Sequence, residues 1–346
     1  MATMDPFIEN TPAPKSPPTS VVTSPPGTLQ DAPAQILEEH DTFILDCDGV
    51  IWHGDHLIPG AAEAIKHLKS LNKKVLFVTN NNARGRADLL LKFERLGLAD
   101  GVTVDDIVTG ASAMGLYLTT QAPHVKKAYM IGSTAMKKEL ECAGVEVLGG
   151  GIGSDGRGAA QYVGEAMTEA AFMELDVKGD GIEAVVCGGD FSVNYAQICR
   201  ASLYLQLNPE MPFLVASMDA FDQHHDRRFP GPTGMTGRAL RSITGLEPTV
   251  TGKPSQTLAR AVIKAHNLDP MRTVMVGDRL SSDIMFGNGA GFSTLLVMTG
   301  TTKSALLETR EKEQHDLVAC GKALVDDWPE WKPKFMLDSL GCLTSA

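Results

Sequence analysis

The 346-residue chain reads as an α/β protein: a parallel sheet covered by helices on both faces, with a second, smaller α/β unit inserted into it. Short apolar runs of strand length alternate with stretches of helical period, the pattern of a sheet buried on both sides. Polar clusters recur directly after those runs, where ligands bind in such sheets. A long gap between the second and third clusters leaves room for the inserted unit.

Residues 1–35 are rich in Pro, Ser and Thr, and Pro12, Pro14, Pro17, Pro18, Pro25 and Pro26 block regular structure, so a disordered tail is expected. A transit peptide is the rival reading. Such peptides are basic and poor in acids, whereas here Lys15 stands alone against Asp5, Glu9 and Asp31. Thr42–Leu45 is a buried strand that ends in acids. Ala61, Ala64, Ile65, Leu68 and Leu71 then mark one face of a helix, and Val75–Val78 is a second strand. Further on, Thr249–Val250 leads into Gly252-Lys253-Pro254, Leu258–His266 is helical, and Thr273–Val276 is a strand ending at Gly277-Asp278. These form the core, residues 36–108 and 241–346. Between them, 109–240 has its own alternation: strands at Lys127–Ile131, Glu183–Cys187 and Pro212–Ala216, helices at Thr134–Ala143 and Tyr195–Leu207.

Lys and Arg number 31 against 42 Asp and Glu, a net charge of −11 that repels a polyanion, so no nucleic-acid partner is expected. A small phosphorylated metabolite is compatible with that field, because a metal and one lysine can invert it locally. No apolar stretch approaches the ~20 residues of a membrane span. The six cysteines (Cys47, Cys142, Cys187, Cys199, Cys320 and Cys342) form no CxxC pair, as in a reduced, cytoplasmic protein. The tail leaves organellar targeting open.

Four clusters follow predicted strands. In Asp46-Cys47-Asp48-Gly49, one carboxylate can attack phosphorus while the other handles the proton, and Gly49 lets backbone N–H groups approach a phosphate. Thr79-Asn80-Asn81 offers a hydroxyl and amides beside an expected helix N-terminus. Gly252-Lys253-Pro254-Ser255 puts a lysine on a tight turn. In Gly277-Asp278-Arg279-Leu280-Ser281-Ser282-Asp283, Asp278 suits an oxygen-rich Mg²⁺ site with Asp46, and Asp283 suits orienting Lys253 or a metal-bound water. Each alone has a plain explanation: an Asx-turn, a helix cap, a surface lysine, an acidic helix start. Four in this order, each after a strand, do not.

Through FILDCDGVIWHG, VLFVTNNNARGR, VTGKPS and VMVGDRLSSDI, over roughly residues 42–300, the chain resembles the haloacid dehalogenase-like hydrolases. The resemblance implies a Rossmann-like core. It implies a nucleophile at Asp46, an acid/base at Asp48, a phosphate-binding hydroxyl at Thr79 and a phosphate-binding lysine at Lys253. Mg²⁺ would be held by Asp46, the backbone carbonyl of Asp48, and Asp278, with a phosphoaspartyl intermediate on Asp46. Family dehalogenases lack the second acid and family ion pumps carry Thr there, so Asp48 favours phosphoester hydrolysis. From Asp46 to Thr79 is 33 positions and from Asn80 to Lys253 is 173, so the cap follows the second motif. That placement is similar to the large-cap subgroup of phosphoglycolate, p-nitrophenyl and pyridoxal phosphatases, and the motifs are most similar to eukaryotic phosphoglycolate phosphatases. Caps of this subgroup often mediate homodimers. Three departures stand out: Ser281 where relatives have an acid, Ala216-Ser217-Met218-Asp219 one residue short, and a longer stretch from Gly149 to Gly181. The last two lie in the part that selects substrate; the resemblance favours 2-phosphoglycolate, and pyridoxal 5′-phosphate, glycerol 3-phosphate and a broad range stay open. A silent scaffold and a protein phosphatase are the readings from other classes.

Weaker signals read as ordinary structure. Gly151-Ile152-Gly153-Ser154-Asp155-Gly156 fits a dinucleotide fingerprint but opens no amphipathic helix. Asp176–Glu183 reads as an acidic turn, and His224-His225 with Asp222 and Asp226 as a cap loop. Asp190, Arg227 and Arg228 are candidates for reading a substrate carboxylate, with surface charge preferred. Cys47 reads as a small buried residue, with redox sensitivity as the alternative.

Overall fold

Strand β1 (Thr42–Leu45) is buried along its whole length in the computed structural model, which describes residues 32–150, 175, 177–219, 221–224, 227–302 and 331–345. Its side chains alternate between two cores. Phe43 and Leu45 enter one with Val75 and Phe77 of β4 (Lys74–Val78) and Val274 and Val276 of β13 (Thr273–Gly277). Ile44 enters the other with Leu76, Val78 and Met275. That period of two, apolar on both faces, is what a parallel sheet between helices requires.

The sheet has six strands in the order β15-β14-β13-β1-β4-β5, all parallel, with β5 at Ile107–Val108, β14 at Ser293–Val297 and β15 at Phe335–Leu337. Helix α2 (Ala61–Ser70) buries Ala61, Ala64, Ile65 and Leu68 on one face, and α8 (Gln256–His266) buries Leu258, Ala259 and Val262 on the other. Because Leu45 pairs with both Val276 and Phe77, the chain leaves β1, β4 and β13 at one edge, and their next residues meet.

A second parallel sheet, β12-β9-β8-β6-β7, repeats the design with β6 at Lys127–Ile131, β7 at Glu146–Gly149, β8 at Ala184–Cys187 and β9 at Phe213–Val215. Ala128 and Met130 face one core, Tyr129 and Ile131 the other. Helix α6 (Tyr195–Leu207) starts where Asn194 accepts from the Gln197 N–H at 3.0 Å and the Gln197 side chain accepts from the Asn194 N–H at 2.9 Å.

Three features differ from the sequence reading. Helix α1 (Ala32–Glu39) falls partly inside the stretch expected to be tail, because Pro33 in a first turn gives up an N–H that needs no helical partner. Thr249–Val250, read as a core strand, is β12, the edge of the second sheet, where it pairs with Leu214 and Val215; that sheet therefore extends past residue 240. The helix after Thr79-Asn80-Asn81 starts only at Arg86, as α3 (Arg86–Arg95). No helix among the described residues is long and apolar enough to cross a membrane.

Candidate active site

Asp46, Asp278 and Asp283 are buried, with carboxylate oxygens all within 4.8 Å of one another, and form the one acidic metal-type cluster among the described residues. Asp46 continues β1, its N–H bonded to the Val276 carbonyl at 2.9 Å. Asp278 follows β13, and Oδ2 accepts from the Thr301 N–H beyond β14. Asp283 sits in a wide helical turn, Leu280–Ile284, before α9 (Met285–Gly289); Oδ2 accepts from the Arg279 N–H at 3.1 Å, leaving Oδ1 for Lys253.

Lys253 lies at the centre. Its Nζ is 2.7 Å from Asp46 Oδ1 and 2.7 Å from Asp283 Oδ1, and it donates to the Val78 carbonyl at 2.6 Å. Burial alone would push the ammonium down, but Asp283 and Asp46 outweigh it, so the lysine titrates above its usual value. Burial pushes the Asp46 carboxyl well above the usual range; Lys253 opposes this, and Asp283 and Asp278 add to it. Asp278 is raised for the same first reason, with Asp283 adding. Three buried carboxylates thus face one buried ammonium, and the imbalance fits a divalent cation bound through hard oxygen donors.

Asp48 stands outside that cluster. It is exposed, and Oδ1 accepts from the Trp52 indole N–H at 2.9 Å. Between the two acids, Cys47 is fully buried in the core, and burial pushes its thiol well above the usual range. Gly49 has φ +91, and a Cβ there would lie 2.7 Å from Asp278 Oδ2, so only glycine lets this turn close on the acid. Gly300 meets the same carboxylate from the other side, where a Cβ would lie 2.0 Å from Oδ2.

Thr79 is buried after β4, and its Oγ1 accepts from the Asn81 N–H at 3.1 Å. Asn81 Oδ1 accepts from the Ala83 N–H at 3.1 Å. Asn80, expected to touch substrate, has its side-chain amide on the Lys253 backbone. Its Nδ2 donates to the Lys253 carbonyl at 2.9 Å and its Oδ1 accepts from the Lys253 N–H at 2.8 Å. Asn80 therefore clamps the turn that carries the lysine, whose position depends on both sheets because β12 precedes it.

Four further residues escaped the sequence reading. Asn82 Oδ1 accepts from the Gly189 N–H, its Nδ2 donates to Thr233 Oγ1 at 3.0 Å, and its carbonyl accepts from Ser133 Oγ at 2.9 Å, tying the core loop to three parts of the second unit. The triple Asn80-Asn81-Asn82 hinted at it. Trp52, four residues after Asp48, could have been suspected from that spacing. Arg279 and Asp219 form a 2.9 Å ion pair between core and cap. Of the weaker signals, Gly151–Gly156, Asp176, His225, Asp226 and Cys320 lie outside the described residues, as do the side chains of Asp222, His224 and Arg228. Asp180 accepts from the Tyr204 hydroxyl, and Asp190 Oδ1 accepts from the Ser192 N–H at 2.8 Å and hydroxyl at 2.6 Å.

Two family models match the chain, haloacid dehalogenase-like hydrolase over residues 43–146 and HAD-hydrolase-like over 250–324. Phosphoglycolate phosphatase 2 of Arabidopsis thaliana is 36% identical over 284 residues, 81% of this chain and 90% of that one. Glycerol-3-phosphate phosphatase of Homo sapiens is 34% identical over 321 residues, 90% and 92%. The solved p-nitrophenyl phosphatase from Archaeoglobus fulgidus superposes with a TM-score of 0.68 at 26% identity, covering 89% of this chain and all of that one. With its acids and lysine gathered where a parallel sheet binds ligands, the chain belongs to the haloacid dehalogenase-like hydrolases, as one of their phosphatases.

Proposed function

We propose that the protein is a Mg²⁺-dependent phosphatase of small phosphomonoesters that works through a phosphoaspartate on Asp46, with 2-phosphoglycolate as its preferred substrate. The observation that carries this is the buried group Asp46, Asp278, Asp283 and Lys253, with the exposed Asp48 beside it. Asp46 and Asp278 would hold the ion, helped by the Asp48 backbone carbonyl, and bound Mg²⁺ would neutralise charge on the phosphoryl oxygens.

Lys253 fixes Oδ1 of Asp46 and leaves the other oxygen to attack. As that oxygen bonds to phosphorus, the bond to the leaving alcohol breaks and Asp48 gives it a proton. Asp48 then takes a proton from water, the water oxygen bonds to phosphorus, and the bond to Asp46 breaks. Thr79 and Asn81 sit at the carboxyl end of β4, where a phosphate oxygen would meet a hydroxyl and an amide. Asn80 acts through Lys253.

The inserted unit is proposed as a cap running to about residue 250, in line with β12 belonging to its sheet. A roof over the cleft excludes water and favours small substrates. Phe191, 84% exposed, offers an apolar contact for the expected cap-mediated homodimer. The five described cysteines are all free, which supports a reducing, cytoplasmic compartment.

Phosphate release from 2-phosphoglycolate, glycerol 3-phosphate, pyridoxal 5′-phosphate and p-nitrophenyl phosphate, with Mg²⁺ and with EDTA, tests the reading. A metal-dependent preference for 2-phosphoglycolate is expected. Preference for glycerol 3-phosphate, the substrate named for the human relative, or an even spread would keep the chemistry and replace the substrate. Turnover unaffected by EDTA would overturn the metal assignment.

A further inference from the structure

Trp52 heads the largest side chains sealed from solvent among the described residues, yet its one polar atom is directed to an exposed acid. The indole N–H donates to Asp48 Oδ1, and no described residue donates to Oδ2. The ring is fixed from several sides. Phe93 packs edge-on at 5.1 Å between centroids, with planes at 72°. Lys92, itself 5% exposed, holds its ammonium 3.9 Å over the ring centre and donates to the Gly54 carbonyl at 2.7 Å. The Trp52 carbonyl accepts from the Gly49 N–H at 2.8 Å, so ring and acid share one tight turn.

We propose that Trp52 is a positioning residue for Asp48, its indole clamped by Lys92 and Phe93. The inference rests on the acid/base role given to Asp48 above. An exposed aspartate on its own rotates among several rotamers, and each must be sampled before a proton moves. An indole N–H is a donor only, so it fixes Oδ1 and leaves Oδ2 to carry the proton. The bond survives whether Oδ2 is protonated or not. One geometry therefore serves both halves of the reaction, donation to the leaving alcohol and acceptance from water.

Leaving groups separate this role from a structural one. An alkyl alcohol needs Asp48's proton to depart, whereas p-nitrophenolate is stable without one. The experiment compares kcat/KM for the best alkyl phosphate with that for p-nitrophenyl phosphate in wild type, Trp52→Phe and Asp48→Asn. Both values come from one preparation, so any unfolded fraction cancels in their ratio. Should Trp52→Phe not fold, β-(3-benzothienyl)alanine at position 52 keeps the ring shape and removes the N–H alone. Loss of one fixed hydrogen bond should lower the alkyl value about tenfold more than the aryl value. Asp48→Asn should show the same selectivity, larger. Selective loss in Asp48→Asn with equal losses, or none, in the Trp52 variants would overturn the proposal and leave the role of Asp48 standing. No selectivity in Asp48→Asn would remove that role, and the proposal with it.

Discussion

In both parallel sheets, successive side chains of a strand feed two separate cores, yet the residues just past the strands differ. After β1, β4 and β13 come Asp46, Thr79 and Asp278. After β6, β8 and β9 come Gly132-Ser133, Gly188-Gly189 and Ala216-Ser217. The first set concentrates charge where burial makes it costly, and that cost stays low only with a counter-ion. The second set is small and uncharged, and two of its members, Ser133 and Gly189, bind Asn82 of the core. The same strand-end geometry thus makes a buried charge cluster in one sheet and a docking surface in the other. Lys253 belongs to both: it follows an edge strand of the second sheet and completes the charge cluster of the first.

Substitutions at each kind of strand end should break this contrast in graded ways. Asp46→Asn should lower phosphate release about 10⁴-fold or more while circular dichroism stays unchanged. Substantial residual turnover would move the chemistry away from the core strand ends. Lys253→Met leaves Asp46 and Asp283 buried without their ammonium and should cost about 3–5 kcal/mol in urea unfolding of the metal-free protein. A much smaller loss would mean that water reaches the cluster.

Asn82→Ala tests the docking side. It orphans the Gly189 N–H and frees the Thr233 hydroxyl, at about 1–3 kcal/mol, and should raise KM more than it lowers kcat. An unchanged KM would detach Asn82 from cap placement.

Asp278→Asn should have the smallest effect on stability, and the opposite sign. The Asp278 carboxyl is raised by burial, so the folded protein holds a proton there that the unfolded chain releases. Wild-type stability is then lost as pH rises from the ordinary carboxylate midpoint, about 4, through the raised one. Without metal, the variant should be more stable than wild type by about 1 kcal/mol at neutral pH, and the gap should close toward pH about 4. Mg²⁺ should raise the wild-type melting temperature and leave the variant's unmoved. A variant less stable than metal-free wild type at neutral pH would contradict the charge imbalance.

Much of this was legible in the sequence, for identifiable reasons. Thr42–Leu45, Lys127–Ile131 and Tyr195–Leu207 fall where their periods of two and 3.6 put them. Helix α4 (Gly110–Gln121) was not read, because it is buried around much of its circumference and packs on both α5 (Thr134–Cys142) and α8, so its pattern carries no single stripe. Two residues, Thr249–Val250, have no period that could assign them to a sheet. The strand-end rule singled out Asp46, Asp278, Asp283 and Lys253, which the structure gathers into one buried cluster, because charged residue types directly after apolar strands stand out in a sequence. The contacts of Asn82 and the Asn80–Lys253 clamp escaped it because they join residues 51 to 173 positions apart, which local spacing does not record.

The most direct test is a chemical trap of the intermediate. The enzyme is mixed with Mg²⁺ and its best phosphoester, quenched in acid during turnover and reduced with borohydride, which converts an aspartyl phosphate to homoserine. Peptide mass spectrometry then reads the residue at position 46. Homoserine at 46, absent without substrate, is the predicted result. Unaltered Asp46 under conditions of rapid turnover, or homoserine at another aspartate, would contradict the account.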